Sequence, residues 1–247
     1  MSACRTIAAA AILAGTVACG AREDPPPRQE ATSVAASTAA APRPASDAPT
    51  SVSSEARVVV LGDSLTAGLG LAVDEAYPAL LERRLSAAGF KYHVVNAGIS
   101  GDTSAGGVSR LESALEGNVR ILILALGAND GLRGLPPEQL KQNLSQIIER
   151  AQARGISVIL AGMEAPPNFG AEYTTAFHNV YPALAKQYHL PLVPFLLAGV
   201  AGVPELNQRD QMHPTAEGDG IVADTVWKVL EPVAKRLAGR GEGSPGS

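Results

Sequence analysis

Five short apolar runs, separated by stretches of helical period, leave this chain few ways to fold. Val58 to Leu61, Tyr92 to Ala97, Val119 to Leu126, Ile156 to Ala161 and Leu192 to Pro194 read as strands, and the unbroken runs are those of strands buried on both faces. Val119 to Leu126 is the most apolar and is expected at the sheet centre, while prolines on both sides of Leu192 suit an edge. The first helix is expected from a cap at Asp74 to about Ala88, with Tyr77, Leu80, Leu81 and Leu85 inward and Gly89 ending it. A second starts at Asp102 or Thr103 and reaches Glu116, with Val108, Leu111 and Leu115 inward; a third opens at Pro137 and ends near Gly155. A fourth spans 171–189, kinked or split by Pro182, and the last runs from Thr215 to Leu237. Gly127 to Gly134 and the Pro-rich Glu164 to Gly170 read as loops. Strand, helix, strand, repeated, gives an α/β fold: a doubly wound parallel five-stranded sheet in three α/β/α layers.

In such sheets ligands bind beyond the carboxyl ends of the strands. The polar loops of this chain follow strands. Val58 to Leu61 runs into Gly62-Asp63-Ser64, a tight turn that lifts one hydroxyl above the sheet edge, or else a pair of residues that merely caps the next helix. Ser100-Gly101-Asp102 follows the second strand, Gly127-Ala128-Asn129-Asp130 the third, and Asp210 to Pro214 comes after the fifth. A serine is a poor nucleophile until a base takes its proton, and histidine suits that task near neutral pH. Ser64 is the candidate nucleophile, His213 the base and Asp210, three residues before it, the group that orients the imidazole. The backbone N–H groups of Ser64 and Gly101 and the side-chain amide of Asn129 are candidate donors to a tetrahedral oxyanion.

Gly62-Asp63-Ser64-Leu65, Gly101, Gly127-Ala128-Asn129-Asp130 and the Asp210/His213 pair resemble the four blocks of the SGNH (GDSL) hydrolases. Val95 to Thr103 and Asn129 to Gly134 resemble the bacterial thioesterase/lysophospholipase and arylesterase branch. The resemblance spans the domain and implies a flavodoxin-like sheet. It implies the same roles for Ser64, Asp210, His213, Gly101 and Asn129, with no cofactor and no metal.

Leu132, Leu135, Pro166, Pro167, Phe169 and Met212 are apolar and loop-placed, either a shallow substrate groove beside Ser64 or ordinary loop packing. His93, His178 and His189 read as locally satisfied or solvated, and Asp63 and Asp130 as partners of loop backbone. Glu164 stands near the fourth loop, and Trp227 reads as core. Asp210 and His213 supply two metal ligands at most.

Ahead of the domain at 57–238, residues 1–19 have the layout of a signal peptide: Arg5, then an apolar run from Ile7 to Ala18, then Cys19. Cys19 suits lipoprotein processing, although Thr16 departs from the usual Leu; cleavage at an ordinary Ala-x-Ala-like site is the other reading. Residues 20–56, rich in Ala, Pro and Ser, read as a disordered tether, and 239–247 as a flexible tail. The expectation is an exported protein, anchored to a membrane through Cys19 or else secreted. The net charge of −4 without a basic stripe speaks against nucleic acid as a partner.

The expected activity is hydrolysis of small-molecule or lipid carboxylic esters through an acyl-enzyme: aryl or short-to-medium acyl esters, lysophospholipids and thioesters. Two rivals are a carbohydrate acetylesterase of the same fold and a non-catalytic binding module.

Overall fold

A computed structural model describes residues 55–241. The signal segment with Cys19, the tether up to residue 54 and the tail beyond 241 lie outside the described residues. Five strands run parallel in the order β2-β1-β3-β4-β5: β1 (Ala56–Gly62), β2 (Tyr92–Gly98), β3 (Val119–Ala125), β4 (Ser157–Ala161) and β5 (Leu192–Val193). β3 is central and the two-residue β5 is an edge, as the apolar runs and the flanking prolines require.

The helices are α1 (Ser64–Ala67), α2 (Tyr77–Ala87), α3 (Ser104–Ala114), α4 (Ala128–Leu132), α5 (Pro137–Ala153), α6 (Gly170–Gln187) and α7 (Ala216–Gly241). α2 packs against α7, while α3, α5 and α6 pack side by side. Right-handed crossovers put these two groups on opposite faces, completing the three layers. Val58, Val59, Val60 and Leu61 of β1 and Ile121 to Leu124 of β3 are almost wholly buried between them. The order reverses between β1 and β3, and a crevice opens at that switch. The three strands there end level, because Gly62 pairs with Gly98 on one side and Ala125 on the other.

Several element boundaries differ from the sequence expectation. α2 starts at Tyr77, not after a cap at Asp74, whose backbone carbonyl instead accepts from the Arg83 guanidinium. The cap comes from far along the chain: the Tyr77 N–H donates to Asp219 Oδ2 of α7 at 2.7 Å. Thr103, rather than Asp102, caps α3. The Gly127 to Gly134 segment holds the short helix α4, and Pro167–Phe169 forms one 3-10 turn. α6 is one helix despite Pro182; Phe177, Val180, Tyr181 and Leu184 are buried around the proline, and their packing offsets its cost of about 3 kcal/mol. α7 likewise carries Pro232 and continues past Leu237 to Gly241. Trp227 is only partly buried, packed against the core from its margin.

Asp219 makes a prediction about pH. Burial raises its carboxyl from 3.8 to about 7, against the Tyr77 N–H, which lowers it. A carboxyl whose folded pKa is raised favours the folded state while protonated. Its contribution is whole below the unfolded value and is lost as pH climbs through the folded one. Asp219→Asn keeps an oxygen for Tyr77 and removes the charge. Its melting temperature should fall less than that of the wild type between about pH 4 and about pH 7, with a gain of several degrees at the upper end. Parallel thermal melts read this directly; equal slopes for the two proteins would refute it.

Candidate active site

The turn after β1 aims a hydroxyl out of the sheet. Asp63, 1% exposed, caps α1 by accepting from the Leu65 N–H at 3.0 Å, which presents Ser64 as the first helical residue. The capping expected of this pair thus belongs to Asp63. Ser64 Oγ lies 2.9 Å from His213 Nε2, and His213 Nδ1 lies 2.7 Å from Asp210 Oδ2. These three side chains form one unbroken chain of hydrogen bonds.

Asp210 and His213 sit in a loop closed by the bridge between Asn207 and Pro214. The other oxygen of Asp210 accepts from the backbone N–H groups of Met212 and His213, at 2.9 and 3.0 Å. These bonds, the His213 backbone N–H first, then its ring, then the N–H of Met212, lower the Asp210 carboxyl to about 2. Gln211 turns the loop in the left-handed region at φ 57°. Gln208 fastens it: its N–H donates to the His213 carbonyl at 2.7 Å, and its side-chain amide donates to the carbonyls of Pro214 and Leu69. Leu69 in turn donates its N–H to the Ser64 carbonyl, so Gln208 ties the histidine loop to the serine turn.

Gly101 follows β2 at φ 83°, a conformation that favours glycine. Neither its N–H nor that of Ser64 has a protein acceptor among the described residues. Asn129, in α4 after the central strand, donates through Nδ2 to the Asp102 carbonyl at 2.9 Å; Asp63 Oδ2 is a distant 3.5 Å away. The second Asn129 amide hydrogen is thus held only by the long contact to Asp63. Burial raises the Asp63 carboxyl to about 6, against the lowering effects of the Leu65 N–H and the His213 charge. Asp130 holds a helix start rather than loop backbone: it accepts from the N–H of Ser104 at 2.8 Å and from its hydroxyl at 2.5 Å, locking α4 to the first residue of α3.

Ser64, Gly101, Asn129 and His213 all line one cleft of about 620 Å³. Of the apolar loop residues singled out from the sequence, Leu132, Pro166, Pro167 and Met212 line it as well. Leu135 and Phe169 do not. The Phe169 ring packs on Tyr173, centroids 5.2 Å apart, and lies over Gly134, while the Leu135 carbonyl accepts from the Tyr173 hydroxyl. α6 thus draws both away from the opening. The rest of the apolar wall comes from Leu65, Leu69, Met163, Phe195 and Leu197, which no local pattern marks. Glu164 is the only carboxylate in the lining, paired with His178 Nδ1 at 2.7 Å. His93 pairs with Glu82 on the surface, and His189 falls past the end of α6 at φ 53°, off the helix on which it was expected. Among the described residues no cluster of His, Cys, Asp and Glu is suited to hold a metal ion.

With this geometry in hand, similarity to known proteins becomes specific. The GDSL-like Lipase/Acylhydrolase family matches residues 60–221, a span that contains all the residues just described. Esterase TesA of Pseudomonas aeruginosa is 46% identical over 177 residues, 71% of this chain and 88% of that protein. Thioesterase 1/protease 1/lysophospholipase L1 of Escherichia coli is 40% identical over 177 residues, 71% of this chain and 84% of that one. The crystal structure of TesA superimposes with a TM-score of 0.69 at 46% identity, covering 71% of this chain and 98% of the other. A shared five-stranded α/β fold, extensive identity and a family match over most of the chain agree: this protein belongs to the GDSL-like lipase/acylhydrolase family, the SGNH hydrolases.

Proposed function

We propose that this serine ester hydrolase acts through Ser64 as nucleophile, His213 as general base and Asp210 as the group that orients the imidazole. The observation that carries the reading is the continuous Asp210–His213–Ser64 hydrogen-bond chain, open to an apolar cleft. Ser64 Oγ attacks the ester carbonyl carbon as its proton passes to His213 Nε2. The carbonyl oxygen becomes an oxyanion that accepts from the Ser64 and Gly101 N–H groups and from Asn129 Nδ2. The tetrahedral adduct collapses, the C–O bond to the alcohol breaks, and the alcohol leaves with the proton from His213. Water then attacks the acyl-serine by the same route, giving the acid and free Ser64.

The cleft lining supports neutral esters with apolar acyl or aryl groups. Leucine, proline, methionine and phenylalanine dominate it, which disfavours a polar carbohydrate. Among the described residues no lysine or arginine lines it, and Glu164 would repel a polyanionic thioester such as an acyl-coenzyme A. The names of the relatives, an esterase and a thioesterase/lysophospholipase, favour esters, thioesters and lysophospholipids, and the apolar lining favours aryl and short-to-medium acyl groups among them. Export, the anchor on Cys19 and the division into tether and hydrolase domain belong to the same proposal; they rest on the composition of the chain ahead of β1.

A panel of 4-nitrophenyl esters from acetate to palmitate, run beside lysophosphatidylcholine and acyl-coenzyme A, tests the substrate assignment. Neutral esters should exceed acyl-coenzyme A of equal chain length by about tenfold or more in kcat/KM, the size expected when a polyanion meets one carboxylate and no facing cation in a partly open site. Preference for acyl-coenzyme A, or for acetylated sugars over all aryl esters, would overturn it.

A further inference from the structure

Arg110 of α3 stands outside the cleft and takes no part in the steps above, yet it touches the segments that carry the proposed oxyanion donors. Its Nε donates to Asp102 Oδ2 at 2.6 Å, its Nη1 to the Ala97 carbonyl at 2.8 Å and its Nη2 to the Gly62 carbonyl at 2.8 Å. Gly62 ends β1 and precedes Asp63 and Ser64. Ala97 lies at the end of β2, on the chain that leads to Gly101. Asp102 follows Gly101, and its carbonyl accepts the Asn129 amide at 2.9 Å. One planar guanidinium therefore fixes the chain near Ser64, the chain near Gly101 and, through Asp102, the side chain of Asn129.

The arrangement is specific. Both members of the Arg110–Asp102 pair are largely shielded, with 17% and 18% of their side chains exposed. A Cβ on Gly106 would fall 2.3 Å from Asp102 Oδ1, so the first turn of α3 leaves room for that carboxylate. The Gly62 carbonyl also accepts from the Ile99 N–H at 3.1 Å, which makes it a shared point of the β1 and β2 loops. A lysine could keep the charge but not the planar fork that reaches three acceptors in fixed directions.

We propose that Arg110 is a positioning residue for the oxyanion hole, holding the Ser64 and Gly101 N–H groups and Asn129 Nδ2 at one point in space. The inference rests on the oxyanion assignment above. Misplacement of donors by a fraction of an ångström weakens interactions formed only as charge develops, so the loss belongs in kcat rather than KM.

A double-mutant cycle with Arg110→Lys and Asn129→Ala on one aryl ester, with thermal melts beside the kinetics, decides it. Asn129→Ala should lower kcat by about 10²–10³-fold with little change in KM. Arg110→Lys should lower kcat by about 10–10²-fold with KM within about twofold. In the Asn129→Ala background the same lysine substitution should cost measurably less than it does in the wild type, because one of the three donors that Arg110 positions is already gone. If Arg110→Lys does not fold, Asp102→Asn, which leaves both carbonyl contacts of Arg110 in place, should show the same background-dependent loss. A kcat within about twofold of wild type, or an equal loss in both backgrounds, would overturn the positioning role while leaving the hole intact. Should Asn129→Ala itself spare kcat, the oxyanion assignment falls, and the role of Arg110 falls with it.

Discussion

Ser64→Ala is expected to lower kcat by about 10⁶-fold, the largest effect of any single substitution in this chain. Its hydroxyl lies 2.9 Å from His213 Nε2 and is the group there that can form a covalent acyl intermediate. The fold should not notice the change. The cap of α1 is the Asp63 carboxylate, and the bonds from Leu69 N–H to the Ser64 carbonyl and from Ala67 N–H to the Asp63 carbonyl are made by backbone. The variant should therefore melt within a degree or two of the wild type, and a fluorophosphonate that labels the wild-type serine should leave it unmodified. The residue left after the loss should still exceed the rate in water, because the oxyanion donors remain. Activity within about tenfold of wild type, or an adduct on another residue, would end the nucleophile assignment.

The second large effect is expected at Asp210. Asp210→Asn should cost about 10⁴-fold in kcat with modest change in KM. The geometry explains why an isostere fails. Asp210 Oδ1 is held by two backbone N–H groups, those of Met212 and His213. An asparagine must keep its carbonyl oxygen there, because an amide nitrogen in that place would face two donors. Its NH₂ then points at His213 Nδ1, which becomes the acceptor, and the ring proton moves to Nε2. An imidazole in that tautomer has no lone pair for the proton of Ser64. With its carboxyl lowered to about 2 by these hydrogen bonds, Asp210 is ionised in the wild type throughout the working range. A loss below tenfold, measured by steady-state kinetics across pH, would show that another group orients His213.

Local pattern carried the strands, the main helices and the candidates for the reacting groups. Val58 to Leu61 and Ile121 to Leu126 are unbroken apolar runs that only a doubly covered sheet can bury, and parallel strands must carry their connecting loops back to one edge. Ser64, Gly101 and Asn129 follow strands that end level, so their convergence was legible before any contact was known. Asp210 and His213 pair within one turn of chain, which needs no distant partner.

Tertiary structure decided what depends on residues far apart in sequence. The cap of α2 is Asp219 rather than the nearby Asp74, since burial against α7 leaves the Tyr77 N–H facing that carboxyl. The grips of Gln208 on Leu69 and of Arg110 on Gly62 span 139 and 48 residues, and no spacing rule foretells them. Leu135 and Phe169 are as apolar as Leu132 and Met212, yet Tyr173 on α6 draws the first two away from the cleft that the other two line. Phe195 and Leu197 enter the lining because the chain turns beneath it after β5. The direction of a side chain on a loop is set by whichever neighbours the rest of the fold brings against it. Local sequence can therefore name the candidate reacting groups, but only packing settles which way the loop residues around them face.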